Sequence, residues 1–312
     1  MALEFAHVSV LLEEVISALA VEENGIYADG TLGGGGHTNG ILSAGTNAKV
    51  IGIDQDTDAI SAAKKRLEKY GDRFIAVHNN FSNILEILSD LGIDKLNGAV
   101  LDLGVSSYQL DEASRGFSYM HDAPLDMRMN RSNELSAYKV INTYTEEELT
   151  SIFYSYGEEK WSKRIAEFIC KAREDKPVST TGELVSIIEK AIPKAARADG
   201  GHPAKRVFQA VRIEVNGELR ILEKALRDFA SALAPGGKLA VITFHSLEDR
   251  IVKNTFKDLC TDCVCPKEFP VCVCGHKAIA KPSPKKPILP SEEELQSNSR
   301  SRSAKLRVIQ KL

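Results

Sequence analysis

The chain has 312 residues, more than a single compact core usually contains, so its length predicts two domains or one domain with a large insertion. Hydrophobic residues make up 43% of the chain and charged residues 27%, as in an ordinary globular protein. A net charge of only −3 excludes a protein that binds nucleic acid through a uniformly basic surface. Any contact with nucleic acid must therefore come from a local basic patch.

The N-terminal segment does not have the pattern of a targeting sequence. It is rich in glutamate and lacks both a basic start and an uninterrupted apolar run, so it matches neither a signal peptide nor a membrane span. We therefore expect a cytoplasmic protein with no membrane partner.

Short apolar runs alternate with helical patterns in the N-terminal third of the chain. Asp58 is the expected cap of the first of these helices. This alternation predicts an α/β fold with a parallel, doubly wound sheet. The predicted strands cover residues 26–29, 50–54, 74–77 and 99–103, and the predicted helices cover 59–70 and 84–91.

The pattern changes after the fourth predicted strand. Residues 108–205 show helical periods but no convincing strand, which predicts an inserted helical domain. Residues 1–107 plus 206–312 are then one discontinuous domain. Its pattern resumes with a helix over 214–233, a turn at 235–237, a strand over 238–244, a helix over 248–259 and a last strand over 304–311.

A glycine-rich turn follows the first predicted strand. It reads Asp29-Gly-Thr-Leu-Gly-Gly-Gly-Gly-His-Thr38, and about 20 residues later Ile51-Gly-Ile-Asp54 closes the second strand. Such a turn lets backbone amides approach a ligand, and an acid at that distance can accept hydrogen bonds from ribose hydroxyls. From these residues alone three interpretations stay open: a nicotinamide cofactor, S-adenosylmethionine, or a turn without a ligand.

Longer blocks of sequence carry a resemblance to a known family. With the glycine-rich turn, they resemble the MraW/RsmH family of enzymes, which use S-adenosylmethionine to methylate N4 of a cytidine in small-subunit (16S) ribosomal RNA. The resemblance runs from about His7 to Arg307. The blocks are residues 7–14, Asp102-Leu-Gly-Val-Ser-Ser107, Arg115-Gly-Phe-Ser118, Pro124-Leu-Asp-Met-Arg-Met129, residues 202–216 and Thr243-Phe-His-Ser-Leu-Glu-Asp-Arg250.

The resemblance implies the fold, the reaction and the partner. It implies a Rossmann-like methyltransferase sheet with an inserted helical domain that docks RNA, and S-adenosylmethionine as the cofactor. It also implies a substrate in the decoding region of 16S RNA, within an assembled or nearly assembled 30S particle. Two rivals stay open: a non-catalytic S-adenosylmethionine-binding assembly factor, and a methyltransferase that acts on another nucleic acid.

The resemblance also implies cofactor contacts. Amides where the glycine-rich turn enters its helix suit the carboxylate of the cofactor, and Asp54 suits its ribose. The alternative for Asp54 is a helix cap, and Phe81 either covers the adenine or anchors the core. The implied contacts are Gly35, Gly36, His37, Asp54, Phe81, Asp102 and Gln109.

Asp102 and His245 are the predicted catalytic residues. The N4 lone pair of cytosine is delocalised into the ring, so the enzyme must orient the amine and receive a proton. Many amino-methyltransferases orient it with an acid or amide followed by two prolines and an aromatic residue. Here that position reads Asp102-Leu-Gly-Val, without the prolines, so the mechanism transfers only in part. Either residue could accept the proton, and the alternative for His245 is a structural role.

Substrate phosphates are expected to meet basic residues near the ends of the insertion. For each of them alone, solvated surface charge is the alternative. The predicted substrate-binding residues are Arg115, Arg128, Lys205, Arg206 and Arg212.

Five cysteines crowd into one stretch. Clustered thiolates are typical of zinc sites, and disulfides are disfavoured in a reducing compartment. Several of the spacings are tighter than usual for zinc, however, so we expect a flexible reduced loop and no metal site. The residues are Cys260, Cys263, Cys265, Cys272 and Cys274.

Overall fold

The computed structural model describes residues 9–197, 201–266 and 268–312, so the start of the first sequence block, His7 and Val8, lies outside the described residues. The chain divides into two compact units. The sheet unit comprises Met1–Gly104 and Leu219–Leu312, and the helical unit comprises Val105–Glu218.

The sheet unit is built on seven strands in the order β3-β2-β1-β4-β5-β7-β6. Strands β1 to β5 are parallel, and β7 runs antiparallel to both β5 and β6. This arrangement confirms the predicted Rossmann-like α/β sheet. The strands are β1 Ile26–Asp29, β2 Lys49–Asp54, β3 Phe74–His78, β4 Leu96–Asp102, β5 Leu233–Thr243, β6 Ala280–Pro282 and β7 Lys305–Lys311.

Thirteen α-helices occur in the described part of the chain. They are α1 Leu12–Leu19, α2 Gly36–Ala44, α3 Thr57–Leu67, α4 Ile84–Asp90, α5 Ser107–Asp111, α6 Ala137–Thr143, α7 Glu146–Ser155, α8 Ser162–Asp175, α9 Thr181–Ala191, α10 Lys205–Asn216, α11 Glu218–Ala232, α12 Ser246–Leu259 and α13 Glu292–Ser297. Short 3-10 helices cover Glu68–Arg73, Phe81–Asn83, Ala113–Arg115, Lys194–Arg197 and Ser299–Ser303.

Alternate residues of the strands build two cores, one on each face of the sheet. Ile51 and Leu101 face the core that also contains side chains of α4, α11 and α12. Val50 and Val100 face the core that contains side chains of α1, α2 and α3. Both faces of the parallel strands are therefore covered, which explains why these strands read as continuous apolar runs.

The helical unit has its own core, formed by helices α6 to α10. Within its described residues strand pairing is limited to an isolated bridge between Pro124 and Thr180. The unit extends beyond the predicted boundary at residue 205, because Val207, Phe208 and Val211 of α10 are buried in this core.

Three local predictions were wrong. The helix predicted over 214–233 is two helices, since Gly217 has a positive φ of 63° that ends α10. Asp56, rather than Asp58, caps α3, and its side chain accepts a hydrogen bond from the Asp58 amide. Strand β5 already begins at Leu233 and includes the predicted turn, although its pairing with β4 is irregular there.

Among the described helices, none combines the length and the apolar character that crossing a membrane requires.

Candidate functional site

Three aspartates end neighbouring strands of the sheet. Asp29 is the last residue of β1, Asp54 of β2 and Asp102 of β4, and these strands are adjacent and parallel. Their carboxyl ends therefore meet at one edge, where open α/β sheets bind their ligands. The glycine-rich turn after β1 lies at the same edge.

Asp54 fastens the glycine-rich turn to the second strand. Its Oδ2 accepts a hydrogen bond of 2.8 Å from the Gly33 amide, and its Oδ1 accepts one of 2.9 Å from the Asp56 amide. Burial raises the pKa of Asp54 to about 6, against the lowering effect of these two bonds. A carboxylate offers about four lone-pair sites, so Asp54 keeps acceptor capacity for a ligand hydroxyl.

Asp29 is almost fully buried and is held by two threonines of the same turn. Its Oδ2 accepts a bond of 2.7 Å from the Thr38 hydroxyl, and its Oδ1 accepts one of 3.2 Å from the Thr31 amide. Burial raises the pKa of Asp29 to about 6 as well. Asp29 thereby fixes both ends of the glycine-rich turn.

Asp102 has an unsatisfied carboxylate oxygen. Its backbone amide donates to the Thr31 hydroxyl at 2.6 Å, but its Oδ1 is buried and has no hydrogen-bond partner among the described residues. The side chain as a whole keeps 26% of its surface exposed. Burial raises the pKa of Asp102 to about 6; His37 lowers it, while Asp29 and Glu248 raise it. An unpaired buried acceptor is costly, and a ligand donor would relieve that cost.

His37 stands beside Asp102. Its Nε2 lies 3.0 Å from the carbonyl oxygen of Val10, which can only accept, so Nε2 carries a proton. Its Nδ1 then faces Asp102 Oδ2 at 3.8 Å. That contact is favourable when Nδ1 also carries a proton or when the Asp102 carboxyl group is protonated.

The glycine-rich turn leaves room for a ligand at its centre. Gly35 has a φ of 75°, which favours glycine, and a Cβ on Gly36 would lie 1.8 Å from Ser9 Oγ. A Cβ on Gly34 would meet nothing within 4 Å, so the backbone there faces open space. Beyond it begins α2, whose first N–H groups have no partner inside the helix and suit an anionic group.

Phe81 lies beside the first glycine of the turn. It packs against the core of one sheet face, and a Cβ on Gly30 would lie 3.2 Å from Phe81 Cβ. The residue is half-buried, and contact of its ring with the adenine stays a prediction.

The charge of this edge discriminates between the candidate cofactors. The charge of Asp29 raises the pKa of Asp54 and the pKa of Asp102, so the edge carries clustered and partly desolvated negative charge. A pyrophosphate would be repelled here, whereas the sulfonium and ammonium groups of S-adenosylmethionine would be attracted. The acidic edge and the open turn therefore fit S-adenosylmethionine and disfavour a nicotinamide dinucleotide.

His245 has a structural role at the start of α12. It is the N-cap of that helix, its Nδ1 accepts from the Glu248 amide at 3.4 Å, and Glu248 bonds back to the His245 amide. Its Nε2 lies 3.0 Å from Glu248 Oε1, although without the alignment of a hydrogen bond. His245 also lines a cleft of about 300 Å³ with residues that include Ser246 and Lys305.

Three of the predicted phosphate-binding arginines are engaged inside the helical unit. Arg115 is 1% exposed and donates to the Arg128 and Met129 carbonyls. Arg128 forms a bidentate pair with Asp126 at 2.7 and 2.9 Å. Arg212 forms one with Glu218 at 2.9 Å for both bonds. Their guanidinium groups are therefore paired with groups of the chain itself, and phosphate binding by them stays a prediction.

The remaining predicted contacts differ in accessibility. Lys205 and Arg206 are exposed at the start of α10, and Arg206 donates to the Glu158 carbonyl at 2.8 Å. Gln109 is buried, and its Oε1 accepts from the Ser106 amide in the capping box of α5. Its side chain supports the local turn of the helical unit.

Sequence reasoning missed the residues that support the three aspartates. Thr31 and Thr38 lie inside the glycine-rich motif, and the motif itself was the available signal. Glu248 forms the capping box of α12 with His245 and raises the pKa of Asp102. Its spacing, three residues after the helix cap, was the available signal.

The fold is a Rossmann-like α/β sheet, and the acidic edge and glycine-rich turn have the properties of a site for a nucleoside cofactor. The chain belongs to the MraW methylase family, whose model matches residues 4–312. Membership confirms the predicted family, methyl transfer as the reaction, and S-adenosylmethionine as the methyl donor.

Close relatives carry a more specific name. The chain is 61% identical over 311 residues to ribosomal RNA small subunit methyltransferase H of Clostridium botulinum (strain Loch Maree / Type A3), covering 99% of this chain and 100% of that protein. It is 57% identical over 311 residues to the protein of that name in Clostridioides difficile (strain 630), with the same coverage. Among solved structures, an rRNA methylase from Streptococcus thermophilus matches with a TM-score of 0.44 and 11% identity, covering 98% of this chain and 99% of that one.

Neutralising Asp102 should stabilise the unliganded protein near neutral pH. The pKa of Asp102 is raised to about 6 in the fold. Protonation of this carboxyl group therefore makes its full contribution to stability below about pH 4, and that contribution is lost as the pH rises through 6. Asp102→Asn cannot ionise and should gain about 2 kcal/mol at pH 7.5, with the gain vanishing toward pH 4.

Thermal unfolding at both pH values measures this difference, with the exposed Asp72→Asn as the matched control. A variant that is no more stable than the parent at pH 7.5, or that gains as much at pH 4, would contradict the assignment.

Proposed function

We propose that this methyltransferase transfers a methyl group from S-adenosylmethionine to N4 of a cytidine in the decoding region of 16S ribosomal RNA. The observation that carries methyl transfer from S-adenosylmethionine is the acidic edge formed by Asp29, Asp54 and Asp102, with an unsatisfied oxygen on Asp102. The relatives named ribosomal RNA small subunit methyltransferase H support RNA as the substrate. The 30S particle, assembled or nearly so, is the proposed form of that substrate.

The cofactor site is proposed to lie along the glycine-rich turn. Asp54 accepts hydrogen bonds from the ribose hydroxyls with the lone pairs that Gly33 and Asp56 leave available. The amides of Gly36 and His37 bind the cofactor's carboxylate at the start of α2, and Gly34 leaves space for its chain. Phe81 borders the adenine. The bound cofactor supplies an activated methyl group on a cationic sulfur.

Asp102 is proposed to orient the target amine. Its partly exposed carboxylate accepts a hydrogen bond from the N4 amino group, which turns the nitrogen lone pair toward the methyl group. After methyl transfer the nitrogen is cationic and strongly acidic, so its proton leaves readily. Asp102, whose pKa is near 6, is a suitable first acceptor for that proton. His245 is assigned to positioning α12 through Glu248.

The helical unit is proposed to dock the RNA. Lys205 and Arg206 are the predicted phosphate contacts that remain exposed, both at the start of α10. Arg115, Arg128 and Arg212 act instead by fixing the backbone and the helix ends of that unit.

Nucleoside mass spectrometry of ribosomal RNA tests the function directly. In a strain that lacks the gene, N4-methylated cytidine should disappear from 16S RNA and return when the gene is restored. Purified protein with unmodified 30S particles should form the same product. Tight RNA binding without a methylated product would favour the assembly-factor rival, and product on DNA alone would favour another nucleic acid.

The roles of orientation and proton acceptance can be separated at Asp102. We expect Asp102→Ala to slow single-turnover methylation by roughly 10²- to 10³-fold, and Asp102→Asn by less than about tenfold, because Asn keeps the acceptor oxygen. Rates are measured with saturating cofactor, and cofactor affinity is measured in parallel. Equal losses in the two variants would assign the residue to proton acceptance instead. A rate near that of the parent in Asp102→Ala would remove it from the chemical step.

Reversing the exposed charges of α10 should impair RNA recognition alone. Lys205→Glu with Arg206→Glu should leave the affinity for S-adenosylmethionine unchanged and weaken 30S binding. A plot of the logarithm of the binding constant against the logarithm of the salt concentration should become less steep. Its slope should change by about one unit for each lost phosphate contact. Lys163→Glu, an exposed change on α8, is the matched control. Unaltered methylation and salt dependence in the double variant would place RNA docking elsewhere.

A further inference from the structure

Four of the clustered cysteines converge in the segment between α12 and β6. The sulfur atoms of Cys263, Cys265, Cys272 and Cys274 all lie within 4.8 Å of one another, and among the described residues they form a group of potential metal ligands. Cys260 does not belong to this group. It is the C-cap of α12, and burial raises the pKa of its thiol to about 11.

The distances between the sulfurs match a tetrahedral ion site. The Sγ atom of Cys263 lies 3.5 Å from that of Cys272 and 3.8 Å from that of Cys274, and the latter two are 3.6 Å apart. Four thiolates at the zinc–sulfur distance of about 2.3 Å would be separated by about 3.8 Å. A disulfide would need about 2.05 Å. The group therefore has the size of one ion surrounded by four sulfurs.

A short sequence motif occurs twice in the cysteine loop, and backbone amides of both copies point at sulfur atoms of the group. The sequence reads Cys263-Val-Cys-Pro266 and Cys272-Val-Cys-Gly275, two copies of one short motif. The Cys265 amide points at Cys263 Sγ at 3.4 Å, and the Val273 amide points at Cys265 Sγ at 3.4 Å. Gly275 follows with a φ of 62°. Amides aimed at sulfur stabilise thiolates, which are the form that binds metal.

The cysteine loop has no apolar core of its own. No described residue between Thr261 and Ile279 is buried, and the large apolar side chains of the loop point outward. The base of the loop is closed by a 2.9 Å bond from the Ile279 amide to the Leu259 carbonyl. A segment of this length without burial needs another source of order, and a metal ion supplies it in small domains. The outward-facing residues are Val264, Phe269, Val271 and Val273.

We propose that Cys263, Cys265, Cys272 and Cys274 bind one zinc ion as a structural tetrathiolate site. Four sulfur ligands in tetrahedral arrangement select zinc among the common divalent ions, and a closed set of four leaves no position for catalysis. This proposal replaces the expectation of a flexible reduced loop without metal. The spacing within each Cys-Val-Cys motif is tighter than is usual for zinc, but it does not reveal that the sulfur atoms of the two motifs meet in the fold.

Metal analysis of the full-length protein tests the site. Protein purified without chelators or metal-affinity resin should contain one zinc per chain by mass spectrometry. Cys272→Ser with Cys274→Ser should lower the zinc content by roughly tenfold or more, because two of four ligands are lost. Cys170→Ser and Cys260→Ser, which lie outside the group, should keep it.

A second measurement covers the case in which the double variant does not fold. In the wild-type protein, a mercurial reagent should release the zinc as it titrates the thiols, and chelation should speed trypsin cleavage after Lys277. Four free thiols without metal, two disulfides, iron in place of zinc, or zinc retained by the double variant would each overturn the proposal.

Discussion

The structure of the site depends on three carboxylates held close together, mostly out of water, at one edge of a parallel sheet. Asp29, Asp54 and Asp102 are brought there by the ends of adjacent strands, and burial raises the pKa of each to about 6. Asp54 accepts a hydrogen bond from the Gly33 amide, and Asp29 accepts one from the Thr38 hydroxyl. These bonds hold the glycine-rich turn next to the carboxylates. Negative charge held in this way is stabilised by a cation, which is the property that separates S-adenosylmethionine from other nucleoside cofactors.

The sequence predicts this part of the molecule well because it is local. Apolar runs end at Asp54 and Asp102, and the carboxyl ends of parallel strands must share an edge. Gly35 is recognisable for the same reason, since its positive φ is a requirement of the turn itself. The family resemblance then supplies the reaction, which the spacing of glycines leaves open.

The side-chain partners were harder to predict because they depend on tertiary packing. Arg115 reads as a surface cation, yet its guanidinium is buried against backbone carbonyls of the helical unit. The sequence leaves a catalytic and a structural role open for His245, and the structure adds that it caps α12 together with Glu248. The Cys-Val-Cys turns appear too tight for metal when read along the chain, and only the fold of the loop brings their sulfurs together.

Calorimetry of cofactor binding across pH 5 to 7 tests the acidic edge most directly. If Asp29, Asp54 and Asp102 must be ionised to receive the sulfonium, the affinity for S-adenosylmethionine should rise with pH and binding near pH 6 should release protons. S-adenosylhomocysteine, which lacks the sulfonium charge, should show a smaller pH dependence and a smaller proton release. An affinity for S-adenosylmethionine that does not change with pH, with no release of protons, would contradict the account.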